Sequence, residues 1–109
     1  MRLIPLFNDA TEFGVATLLE LGAPPAPGFR AGSVRLAPGQ RVPAEGLSVH
    51  AADEVSYVVA GSLSGVCGGE EFKTFAGEVS LIPAGEEHWA VAGPDGAEIF
   101  WCWYGNVSG

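Results

Sequence analysis

Short apolar runs, most alternating with polar residues, fill the chain from residue 29 almost to its end, and most are closed by glycine or proline. Residues 29–36 form the first, stopped by Pro38 and Gly39. Others follow at 47–50, 54–60, 62–67, 70–75, 78–82, 88–92 and 97–104, the last aromatic on both faces. A period of two puts successive side chains on opposite faces of a strand. Between the runs stand turn formers: Gly61, Gly68-Gly69, Pro83 with Gly85, Gly93-Pro94 and Asp95-Gly96. Gly68-Gly69 suits the positive φ angles of a two-residue hairpin. Ahead of residue 29 the pattern is double. Asp9 and Glu12 have the spacing of a helix capping box, whereas residues 14–21, rich in Val, Thr and Leu, read as an edge strand, which is the preferred reading. Pro24, Pro25 and Pro27 predict an extended loop, since each fixes its own φ and removes a donor. About seven to nine strands at intervals of roughly eight to twelve residues predict an all-β sandwich or barrel.

Composition narrows the partners more than the fold. The 109 residues predict one domain spanning 1–109. An apolar content of 48% is too high for a disordered chain. Thirteen acids against five bases give a net charge of −8, which argues against nucleic acid and anionic membrane as partners. No apolar stretch approaches the roughly 18 residues of a membrane helix. The first seven residues carry Arg2 and are broken by Pro5, so they lack the core of a signal peptide, and a cytoplasmic location is the default expectation. In that compartment Cys67 and Cys102 are expected as thiols.

The candidate chemistry gathers around the two histidines. His50 lies near Asp53 and Glu54, and His88 follows Glu86 and Glu87. Imidazole and carboxylate form the usual donor set for a borderline divalent metal. Spacing alone is weak evidence, because both residue types are common on β surfaces.

Two stretches add to this. The segment SVHAADEVSYVVAG, residues 48–61, resembles the first motif of the cupin family: two histidines one residue apart, then a glutamate, then a glycine six residues on. The segment GEVSLIPAGEEHWAVA, residues 77–92, resembles the second: Gly, five residues, Pro-x-Gly, two residues, His, three residues, Asn. Three positions depart from the pattern. Ser48 stands for the first histidine, Ala92 for the closing asparagine, and Val42 for a glycine six residues before Ser48.

The resemblance implies an antiparallel double-sheet jelly-roll barrel with one divalent metal ion (Fe, Zn, Mn or Ni) on His50, Glu54 and His88. It implies a small-molecule ligand or substrate and a homodimer, and the family includes dioxygenases, isomerases, epimerases and lyases. Two histidines and one carboxylate leave metal positions open for substrate or O₂. Ser48 either ligates through water or marks a barrel that has given up its metal and binds a small ligand directly.

Alternation extends the site. If Glu54 points inward, so do Ser56 and Val58; if His88 does, Ala90 and Ala92 accompany it. On the last strand the inward set is either Ile99, Trp101 and Trp103 or Phe100, Cys102 and Tyr104. Ser48, Ser56, Ala90 and Cys102 are therefore the candidate ligand-contacting residues, with packing as the weightier role for Cys102. The plainer readings place Asp53, Glu86 and Glu87 in solvated turns, Cys67 in packing, and the three tryptophans in core or interface. Arg30, Arg35 and Arg41 are assigned to the surface, with a substrate carboxylate as their other reading.

Overall fold

The computed structural model describes residues 1–23 and 25–107. Among them are seven strands and no helix: β1 (Gly14–Leu21), β2 (Gly28–Leu36), β3 (Arg41–Val42), β4 (Ala52–Cys67), β5 (Glu70–Phe75), β6 (Val79–Ile82) and β7 (His88–Gly105). Every pairing is antiparallel, and the strands run in the order β1-β2-β7-β4-β5, with β3 on β7 and β6 on β4.

Two long strands make two sheets out of this one path. The N-terminal half of β4 and the C-terminal half of β7 pair with each other, with β6 on one side and β2 on the other. Their remaining halves also pair, flanked by β5 and β3. The crossing point lies where the register jumps from Gly61↔Ala97 to Leu63↔Ala92. Gly61 sits there at φ +77° and Gly96 at φ +77°, a region open to glycine and costly for a residue with a Cβ. Residues 93–96 were expected to reverse the chain. They form an outward excursion instead, because the strand on either side keeps β4 as its neighbour and only changes sheet.

The Gly68-Gly69 hairpin forms as expected, with Cys67 opposite Glu70 and both glycines at positive φ. Residues 14–21 are the edge strand. The capping-box alternative fails because Asn8 organises a turn: its Oδ1 accepts from the Ala10 amide at 2.9 Å, and the Thr11 amide donates to its carbonyl at 3.0 Å. The run at 47–50 is not a strand and contributes only the Ser48↔His88 bridge. The proline loop closes as a turn, the Ala26 amide donating to the Ala23 carbonyl at 3.1 Å, and Pro24 lies outside the described residues.

Inward residues stack in rows that change character with height. Nearest the crossing point, Val34, Leu36, Val58, Ala92, Ala97, Ile99 and Trp101 form the buried core. Each large aliphatic member contributes about 1.5–3 kcal/mol by leaving water. The middle row of the first sheet is Thr17, Gly32, Trp101 and Ser56. The top row is Glu20, Arg30, Trp103 and Glu54. The core is thus gathered at the closed end, and the open end is free to be polar.

Candidate metal centre

Facing the top row across the barrel is Cys67 opposite His88 on the second sheet. His50 comes from the segment before β4 and is held by its backbone, its carbonyl accepting from the Gly85 amide at 2.8 Å. Two backbone hydrogen bonds tie Ser48 to His88, at 2.8 and 2.9 Å. These restraints bring His50, Glu54 and His88 together, with one donor atom of each within 4.8 Å of the others. Donors bound to one ion at about 2.1 Å and at tetrahedral or facial angles lie roughly 3.0–3.4 Å apart, so the three side chains would close in by about an ångström to complete such a site.

The donor set is also oriented. Glu54 Oε1 accepts from Trp103 Nε1 at 2.6 Å, and Oε2 accepts from the Ser56 hydroxyl at 3.1 Å. His88 Nδ1 lies 2.9 Å from the Glu86 carbonyl. Nδ1 therefore carries the proton in that contact, and Nε2 keeps its lone pair for the cavity. His50 Nε2 lies 3.4 Å from Glu54 Oε1. Its ring meets that of His88 edge-on at 4.9 Å and lies 4.1 Å from the Trp103 ring. Burial holds the His50 imidazole below the ordinary value of 6.5; the Glu54 charge pulls upward, and His88 adds to the lowering. A neutral imidazole is the form that binds metal.

Below the cluster lies a cavity of about 590 Å³, a size suited to a small organic molecule. His50, Glu54 and His88 line it, as do Ser48, Ser56 and Ala90. The inward set of β7 is Ile99, Trp101 and Trp103. Cys102 is on the other side of the strand, opposite Val55, and does not line the cavity. The physical reason is parity: once Trp103 pairs with Glu54 on the inner face, its neighbour Cys102 must face out. Both cysteines are free thiols.

The plain reading holds for Asp53, whose Oδ1 caps the Ala84 amide at 2.9 Å in the turn before His88. It does not hold for Glu86 or Cys67. Glu86 is half-buried at the cavity wall and accepts from the Cys67 thiol at 3.3 Å. Arg30 also lines the cavity, whereas Arg35 binds the Thr11 carbonyl and Arg41 the Pro43 carbonyl. Period-two counting along β2 would have found Arg30, which shares its face with Val34 and Leu36.

The family and the solved neighbours agree with this fold. The cupin domain family model matches residues 32–103, well over half of the chain. The chain belongs to the cupin family. Its solved neighbours share the fold at low identity. An RmlC-like cupin from Shewanella frigidimarina NCIMB 400 is 20% identical, over 93% of this chain and 89% of that one, with a TM-score of 0.66. The S161A mutant of Bacillus subtilis oxalate decarboxylase is 24% identical over 89% of this chain and 27% of its own, at 0.63. The DMSP lyase of Ruegeria pomeroyi DSS-3 is 20% identical over 74% and 40%, at 0.67. This cupin therefore spans under half the length of either enzyme. The search of curated proteins found no match.

Proposed function

We propose that this cupin holds one divalent metal ion on His50, Glu54 and His88 and acts as an enzyme on a small organic molecule in the cavity below. The observation that carries the reading is the convergence of three metal-competent donors, two of them, Glu54 and His88, fixed by further partners. A buried group of two imidazoles and a carboxylate is a costly way to fill a core, so a purely structural role has little support. Bound there, Fe, Zn, Mn or Ni would supply Lewis-acid or redox chemistry. Trp103 and Ser56 hold the Glu54 carboxylate, the Glu86 carbonyl holds the His88 tautomer, and Trp101 with the aliphatic rows keeps water from the floor. Two neighbours are by name a decarboxylase and a lyase, which supports catalysis over passive binding.

Ser48 favours a second reading. It stands where the family motif has a histidine, as in a barrel that binds a small ligand without metal. Elemental analysis of protein purified without a histidine tag or chelator separates the two. Close to one metal per chain is expected, with His88→Ala losing the metal and keeping the fold. Protein that takes up none on reconstitution would establish the second reading, and unchanged metal in His88→Ala would remove His88 from the site. The family resemblance implies a homodimer, and we also propose that two copies pair through the outer face of β6, β4 and β7, where large apolar side chains are exposed.

A further inference from the structure

Four residues from four adjacent strands form one inward row: Glu20 on β1, Arg30 on β2, Trp103 on β7 and Glu54 on β4. Arg30 Nε lies 2.9 Å from Glu20 Oε1, and its guanidinium carbon stands 5.2 Å from the Trp103 ring centre. The same indole donates to Glu54 and packs on His50. One ring thus links Arg30 to two of the three proposed metal ligands.

Arginine offers five N–H donors. Nε lies 2.9 Å from Glu20 Oε1 but is buried without a hydrogen bond, and among the described residues neither Nη nitrogen has a hydrogen-bond partner. The Arg30 side chain is 25% exposed and lines the cavity. A planar fork with free donors beside an aromatic face suits a carboxylate, which accepts two parallel hydrogen bonds. Glu20 is 59% exposed, so water weakens its hold on the cation. The net charge of −8 disfavours anions at long range, but salt screens exposed charges beyond about 8 Å at physiological strength. Contact at Arg30 therefore decides.

We propose that the molecule bound beside the metal centre is a small organic carboxylate, its anionic end on the Nη groups of Arg30 and its apolar part against Trp101 and the Val34, Val58 and Ile99 floor. This deepens the reading of the cavity as a small-molecule site, and it concerns the cation next to the metal centre, not the metal ligands.

The test uses phenylacetate and its neutral counterpart phenylacetamide, with binding read by tryptophan fluorescence and calorimetry in metal-free and metal-loaded protein. Phenylacetate should bind saturably and more tightly than the amide in both. Arg30→Gln should weaken phenylacetate about 10- to 100-fold, the worth of a charged hydrogen bond, and leave the amide and the metal stoichiometry unchanged. Glu20→Gln, a change at an exposed side chain, removes the carboxylate that competes for the guanidinium charge and should tighten phenylacetate; it serves also if Arg30→Gln fails to fold. Equal affinity for acid and amide in metal-free protein, no saturable binding of the acid, or no response to either substitution would overturn the assignment. Failure to take up metal would refute the metal centre and leave this result standing, so the two failures are distinct.

Discussion

Glu54 and Cys67 show how one end of the barrel is tuned at the scale of single residues. Glu54 is 14% exposed and has both oxygens engaged, Oε1 by the Trp103 indole and Oε2 by the Ser56 hydroxyl. Cys67 is tuned through its thiol. Burial, then the hydrogen bond to Glu86 and the charges of Glu86 and Glu54, push its thiol up to about 11. The thiolate is the reactive form, and a pKa of 11 leaves roughly one thousandth of it at pH 8. Iodoacetamide at pH 8 should therefore label Cys67 far more slowly than a free cysteine, as peptide mass spectrometry can follow site by site. Glu86→Gln removes the negative charge and turns one acceptor oxygen into a donor, so it should lower the pKa and speed labelling several-fold. Labelling of Cys67 at the rate of free cysteine in the unaltered protein would show that the contact does not exist in solution.

At the scale of elements, the corner at Gly61 determines whether the two sheets face each other at all. A Cβ there would lie 2.8 Å from the Gly96 carbonyl carbon and closer still to its oxygen, on a backbone at φ +77°. Positive φ costs an L residue roughly 1–2 kcal/mol and an overpacked contact about 1–3 more. Gly61→Ala should thus lower unfolding stability by about 2–5 kcal/mol in urea titration; a loss below about 1 kcal/mol would mean that the corner relaxes freely. Such corners explain what was legible in the chain and what was not. Alternation and turn residues gave β1, β2, β5 and β6 within a residue or so, because those strands are local. They broke β4 and β7 in two, since a glycine that turns a hairpin and one that lets a strand change sheets look alike without their partners. The two-residue β3 is too short to show any period. In the site, His50, Glu54 and His88 stood out by residue type and motif spacing. Arg30 was within reach of period-two counting along β2, but Trp103 and Glu86 were not: their roles depend on which strand lies opposite, and a register is not written in any one segment.

Across the whole molecule the outer surface of the first sheet is treated unequally. The N-terminal segment packs against the β2 side, where Leu6, Thr11 and Phe13 share a pocket with the buried Ser33. Over β6, β4 and β7 large apolar side chains stay open: Val79 is 66% exposed, Leu81 64%, and Tyr57 40%, with Val55, Phe100 and Tyr104 beside them. They are neighbours by register, Leu81 with Val55, Val79 with Tyr57, and Tyr57 in turn with Phe100. A contiguous apolar face of this kind marks an interaction surface, and a two-fold axis would let it cover itself without any other component. Light scattering at micromolar concentration should give twice the 11.3 kDa chain mass, and Tyr57→Glu should return the protein to a folded monomer, its far-ultraviolet circular dichroism unchanged and its melting temperature lowered by the lost association. Salt supplies an independent sign. Each copy carries −8, and the screening length falls from about 8 Å at physiological strength to about 3 Å at 1 M, so an apolar dimer should tighten as salt rises, whereas one held by ion pairs would loosen. A mass of 11.3 kDa at every salt concentration would refute the pairing, and a dimer that survives Tyr57→Glu would place the interface on another face.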